Sequence, residues 1–120
     1  NKLIMLLTNL KHINSSNDFK ELIESNENVM VCCGRMGPMC IPVLKVMEMM
    51  ENDYPDIKFA DMEFDNPDAY VIKNAPECQG FMGLPFTVYY KNGKIVKATS
   101  SIQTKEQIAE IIDSHLLNQN

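Results

Sequence analysis

The sequence predicts a single α/β domain, a mixed β-sheet with helices on both faces, and three observations carry that expectation. An apolar run of strand length, Val29 to Cys33, is separated from a second β-favouring run, Ile57 to Phe64, by a segment of helical period. That is the pattern of a βαβ unit, with parallel strands and a right-handed crossover. Phe86 to Tyr90 and Ile95 to Thr99 flank Lys91-Asn92-Gly93-Lys94, and Asn-Gly between two such runs marks an antiparallel hairpin. The chain has 120 residues, 45% hydrophobic and 22% charged, which suits one core and leaves little room for two.

Taken in order, Lys2 to Leu10 spaces Leu3, Leu6, Leu7 and Leu10 as one helical stripe, so residues 1–12 are expected to form a helical N-terminal extension ahead of a domain over residues 13–117. Lys11 to Asn14 has the length of a short strand. Ser15-Ser16-Asn17-Asp18 offers N-caps for a helix from about Asp18 to Glu24, with Phe19, Leu22 and Ile23 inward. Val29 to Cys33 is apolar throughout, as in a strand covered on both faces. Gly34 and Gly37-Pro38 mark a turn before a helix over Met39 to Asn52, with Val43, Leu44, Val46, Met47 and Met50 on its apolar face and Pro42 in its first turn. Asp65-Asn66-Pro67 opens a short helix ending before Pro76. Thr104 caps a last helix reaching Leu117, with Ile108, Ile111, Ile112 and Leu116 inward.

A net charge of -5, with no cluster among the 11 basic residues, excludes a nucleic-acid role. No segment approaches the roughly 20 apolar residues of a membrane span. A soluble, cytoplasmic protein, monomeric or weakly dimeric, is the expectation. Four cysteines in a chain with an adequate core do not describe a disulfide scaffold. Most of the nine methionines read as core filler, but Met36 and Met39 flank the Gly37-Pro38 turn.

Three of the four cysteines lie around that turn. Cys40 falls near the start of a helix, where free backbone N–H groups and the helix dipole favour a thiolate. Cys33 ends the preceding strand. Cys32 fits best as a small apolar core residue, Cys33 divides evenly between that and a working thiol, and Cys78 reads as structural. His12 and His115 read as surface residues of terminal elements.

Residues Gly83-Leu84-Pro85-Phe86-Thr87, followed by Lys91-Asn92-Gly93-Lys94, resemble the Gly-Ile-Pro-Thr strand and Lys-Asn-Gly hairpin of the thioredoxin family. Ile57 to Asp65 is similar to that family's central strand, and Phe19-Lys20-Glu21-Leu22 and Gly37-Pro38 fall where the family has them. The resemblance runs from about Ile13 to Leu117 and implies the thioredoxin fold, with Pro85 as a substrate-binding cis-proline. It also implies a departure in the active-site motif. Aligned on Gly37-Pro38, Arg35 stands at the motif's tryptophan, Met36 and Met39 at its two cysteines, and Met30 at its buried aspartate. About half a dozen extra residues, Cys78 among them, precede Gly80.

The resulting expectation is an atypical thiol–disulfide oxidoreductase acting on protein or low-molecular-weight disulfides, recycled by a small thiol or a thioredoxin reductase. Cys40 is its nucleophile, Cys33 or else Cys78 its resolving thiol. Met36, Gly37, Pro38, Met39, Leu84 and Pro85 form the substrate-binding surface, and no cofactor is called for. An alternative is a non-catalytic binding module using the Pro85 edge and an apolar rim of Met36, Met39 and Phe81. A minor alternative is a Cu(I) site of Met36, Met39 and Cys40, completed by Cys33 or Cys78.

Overall fold

The computed structural model describes residues 5–118. Its sheet is built around β2 (Asn28–Gly34), all seven residues of which are buried. β2 pairs in parallel with β3 (Lys58–Glu63) and antiparallel with β4 (Phe86–Lys91). The short strand β1 (Lys11–His12) extends the β3 edge, and β5 (Lys94–Ser100) closes the other side, giving the order β1-β3-β2-β4-β5. Because β1 belongs to the sheet, Lys11 and His12 are part of the packed unit and not of an extension ahead of it.

The helices form where the sequence supplies their ends. α1 (Ser16–Ser25) is capped by Ser15, whose side chain accepts from the Asp18 N–H. α2 (Ile41–Met50) carries Pro42 in its first turn, where the missing N–H had no intrahelical partner to lose, and a 3₁₀ turn over Glu51–Asp53 extends it. After Asn66, whose side chain caps a 3₁₀ turn, comes the single turn α3 (Tyr70–Lys73). α4 (Lys105–Ile111) opens on a reciprocal capping box between Thr104 and Gln107 and finishes in a π turn, Ile112–Leu116. In the hairpin, Asn92 and Gly93 both have positive φ, 52° and 79°, as a tight two-residue turn requires.

Side chains alternate along β2, so the sheet has two cores. Met30 and Cys32 pack with Val43, Leu44 and Met47 of α2 and with Ile108 and Ile112. Val29, Val31 and Cys33 pack on the opposite face with Leu22 of α1, Ile72 of α3 and Cys78. The extra residues before Gly80 therefore cover the second core.

The expected N-terminal helix is not present over residues 5–10, and Leu3 lies outside the described residues. The reason is visible in the backbone. The Leu7 N–H meets the Met36 sulfur at 3.4 Å, the Asn9 N–H donates to Glu48 at 2.7 Å, and the Leu10 N–H donates to the Thr8 hydroxyl at 3.1 Å. Side chains of the folded domain have replaced the i−4 carbonyls a helix would use. Leu6 and Leu10 are buried in the first core while Leu7 is 82% exposed, so these three leucines do not share one stripe. Truncation separates the two arrangements. Leu6→Ala should cost about 2–5 kcal/mol in urea denaturation, and Leu7→Ala should stay within about 0.5 kcal/mol of wild type.

Candidate functional site

Between the end of β2 and the start of α2 the chain makes a tight turn over residues 35–40, and Cys40 occupies the N-cap of α2. Its side chain makes no capping hydrogen bond and folds back over the strand. A Cβ placed on Gly34 would stand 2.7 Å from the Cys40 sulfur and 3.0 Å from Cβ of Pro85. Only glycine at position 34 lets these groups meet. The Arg35 N–H points at the same sulfur, 3.4 Å away. Cys40 is 2% exposed, and all four cysteines are free and buried.

That placement reverses the electrostatic expectation for Cys40. Burial raises its pKa, and the Arg35 N–H and guanidinium, which favour the thiolate, are the smaller effects. The thiolate that a helix N-terminus was expected to stabilise is disfavoured, because the sulfur lies over Gly34 and is withdrawn from water.

The Leu84–Pro85 peptide is cis. Ser101 donates its N–H to the carbonyls of Gly83 and Pro85, at 3.2 and 3.0 Å, and so holds the loop against β5. Among the described residues the Leu84 backbone makes no hydrogen bond, which leaves one N–H and one carbonyl for an incoming strand. Met36 and Met39 are exposed, with the exposed Pro38 and the half-buried Gly37 between them. Phe81, expected on the rim, instead packs edge-on against Phe86 with ring centres 5.3 Å apart. Its neighbour Met82, 96% exposed, is the apolar group that faces solvent, and a rule that favours aromatics as anchors passes over it.

The cysteines are not distributed as expected. Cys33 lies in the core opposite Cys40's, since β2 turns it to the other face. There it shares its surroundings with Cys78, and burial pushes its thiol up to about 12. Neither expected resolving thiol therefore lies on the Cys40 side of the sheet. The thiol on that side is Cys32. Nor do Met36, Met39 and Cys40 act as one donor set. Met36 sulfur already accepts from Leu7, Met39 is exposed, and its neighbour Cys40 is buried.

Arg35 grips Asp65 through two 2.8 Å hydrogen bonds, which hold the Asp65 carboxyl below the usual carboxylate range, and its guanidinium lies 5.1 Å from the centre of the Phe64 ring. Across the sheet, Asp61 is fully buried. It bonds His12 Nδ1 at 2.6 Å and the Thr8 hydroxyl at 2.5 Å, and burial still keeps its carboxyl above the ordinary range. His12 is thus a largely covered partner of Asp61, not a surface residue. The available signal was Asp61 itself, a charged residue inside the apolar run Phe59-Ala60-Asp61-Met62, which requires a partner when buried.

Three solved structures show the same arrangement of elements. Plasmodium falciparum thioredoxin matches with a TM-score of 0.74 at 21% identity, over 88% of this chain and 99% of its own. Fasciola hepatica thioredoxin matches with 0.74 at 20%, over 88% and 99%. The mitochondrial thioredoxin 3 of Saccharomyces cerevisiae matches with 0.70 at 19%, over 87% and 94%. The chain has the thioredoxin fold. No protein-family model and no curated protein sequence matches it. Within this thioredoxin fold no helix among the described residues is long and apolar enough to cross a membrane, and no group of three or more His, Cys, Asp or Glu among them is placed to hold a metal ion.

Two outcomes test the geometry. Alkylation of Cys40 by iodoacetamide should be slow at neutral pH and rise with pH to a midpoint above that of a free cysteine, because the depressed ionisation must first be overcome. Gly34→Ala should cost about 1–3 kcal/mol by overpacking, and it should speed alkylation of Cys40 by forcing the sulfur outward, as mass mapping of the labelled peptide would record.

Proposed function

We propose that this chain is an atypical thiol–disulfide oxidoreductase that exchanges through Cys40 with protein or low-molecular-weight disulfides bound along the Leu84–Pro85 edge. The observation that carries this reading is that the Cys40 sulfur and the Pro85 ring both close on Gly34. Cys40 is the one described thiol beside an unpaired backbone edge, so a strand that pairs there delivers its own sulfur to Cys40. Met36, Met39 and Leu84 supply adaptable apolar contact on either side, and Gly37-Pro38 sets the turn.

The chemistry is a displacement. The Cys40 thiolate attacks one sulfur of the bound disulfide, a Cys40–substrate disulfide forms, and the second substrate sulfur leaves as a thiolate. The buried thiol must first lose its proton, and the Arg35 N–H then donates to the sulfur that gains charge. An external thiol, from a low-molecular-weight reductant or a thioredoxin reductase, then attacks the Cys40–substrate disulfide and releases one partner as a thiolate, and a second thiol closes the cycle. A reducing, cytoplasmic setting and a monomer or weak dimer complete the proposal.

A second reading is favoured by a separate observation. Met36 and Met39, at the positions where the resemblance places the two motif cysteines, are 40% and 43% exposed, a surface suited to holding a partner without reacting. In that case the domain binds an extended apolar segment at Pro85 and Cys40 is only part of the packing.

Insulin reduction by dithiothreitol separates the two. The oxidoreductase reading expects precipitation faster than the uncatalysed control, lost in Cys40→Ser and kept in Cys78→Ser. Equal rates for wild type and Cys40→Ser would overturn it and leave the binding module.

A further inference from the structure

One rung of the sheet departs from its neighbours. Strand register places His12 opposite Asp61, Asp61 opposite Cys32, Cys32 opposite Thr87 and Thr87 opposite Thr99. Each of the five strands contributes one residue to this row, and each residue carries a polar or ionisable group. The next rung on the same face is Met30, Phe59 and Tyr89, apolar and aromatic. Asp61, Cys32 and Thr87 are fully buried, the Thr87 hydroxyl is directed at the Cys32 thiol, and the Thr99 hydroxyl finds no partner among the described residues. Burying an acid, a thiol and a hydroxyl side by side is costly, which directs attention to what the row could do chemically.

The row lies one step inward from Cys40. Gly34 and Cys32 are two residues apart on β2, so they share a face at about 7 Å. The Cys40 sulfur sits where the side chain of residue 34 would be, on that same face. Glycine leaves no side chain between the two thiols. After burial itself, Cys40 is the group that does most to push the Cys32 thiol up, ahead of the adjacent Cys33 and of Asp61. For Cys33 the order is reversed, with Lys73, Cys78 and Glu63 all ahead of Cys40.

We infer that Cys32, and not Cys33 or Cys78, is the thiol that resolves the Cys40 mixed disulfide, with the Asp61–His12 pair taking up its proton. The inference rests on the exchange reading of Cys40. Once the Cys40–substrate disulfide has formed, Asp61 accepts the Cys32 proton. The Cys32 thiolate attacks the Cys40 sulfur, the Cys32–Cys40 bond forms, and the substrate leaves as its second thiolate. Two electrons pass to the substrate disulfide, and two thiols of the chain become one disulfide. The Thr87 hydroxyl, opposite Cys32 on β4, favours the Cys32 thiolate by donating to it. The groups facing Asp61 are His12 and Thr8, which hydrogen-bond it, with Cys32 and the more distant carboxylate of Glu48.

Glutathione disulfide is the probe. Acid-quenched, denatured samples are assayed for free thiols and for bound glutathione in wild type and in the Cys32→Ser, Cys33→Ser and Cys40→Ser variants, each checked for folding by circular dichroism. Wild type and Cys33→Ser should lose two thiols without retaining glutathione, whereas Cys32→Ser should retain one glutathione on Cys40. A Cys33→Ser protein that traps glutathione while Cys32→Ser closes a bridge overturns the inference and leaves the exchange reading standing. A wild type that loses no thiols, beside a Cys32→Ser protein that takes no glutathione on Cys40, overturns both. Asp61→Asn should slow bridge closure about tenfold or more near neutral pH and change its pH profile, with capture by Cys40 unchanged. An unaltered profile would remove Asp61 from the step.

Discussion

Strand β2 is covered on both faces, and a strand in that position commits each side chain to one core or the other. Every other placement follows from that commitment. Met30 and Cys32 belong to α2 and the C-terminal helix, while Val31 and Cys33 belong to α1 and the segment before Gly80. Two adjacent cysteines, indistinguishable by composition, have become chemically unrelated through alternation alone. The helix that follows β2 must return over one face, and the face it takes decides which thiol it meets.

The site is a contest between burial and the groups that favour an anion. Cys40 has an N–H aimed at its sulfur and a guanidinium nearby, yet desolvation is the larger effect, because the sulfur is packed against the strand and the Pro85 loop. Asp61 shows the same balance with an acid of a different kind. Two hydrogen bonds to its carboxylate do not offset full burial. In both groups burial outweighs the neighbours that favour the anion.

Much of the fold was legible because its signals are local. The β2 run, the crossover to β3, the Asn92-Gly93 hairpin and the Thr104 cap each depend on residues close in sequence, and each forms as expected. The N-terminal stripe misled because periodicity describes only what a segment would do alone. There the carboxylate of Glu48 and the sulfur of Met36, far along the chain, offered its N–H groups other partners. At the site, the importance of Cys40 and Pro85 was readable from Gly37-Pro38 and Leu84-Pro85. The facing of the thiols was not, because the side of the sheet on which Cys40 lies depends on how its turn folds back. The His12–Asp61 pair depends on register between β1 and β3, which no single stretch encodes.

Gly34 links these matters in another way. Its missing side chain is occupied by the sulfur of residue 40, so the two positions share one volume. Substitutions there are not independent, since a methyl group at 34 meets the sulfur at 40 at 2.7 Å as well as Pro85 Cβ at 3.0 Å, and losing the sulfur relieves the tighter of the two contacts. The dependence runs one way: glycine at 34 can outlast the cysteine, whereas a side chain at 34 presses on the cysteine wherever it is kept.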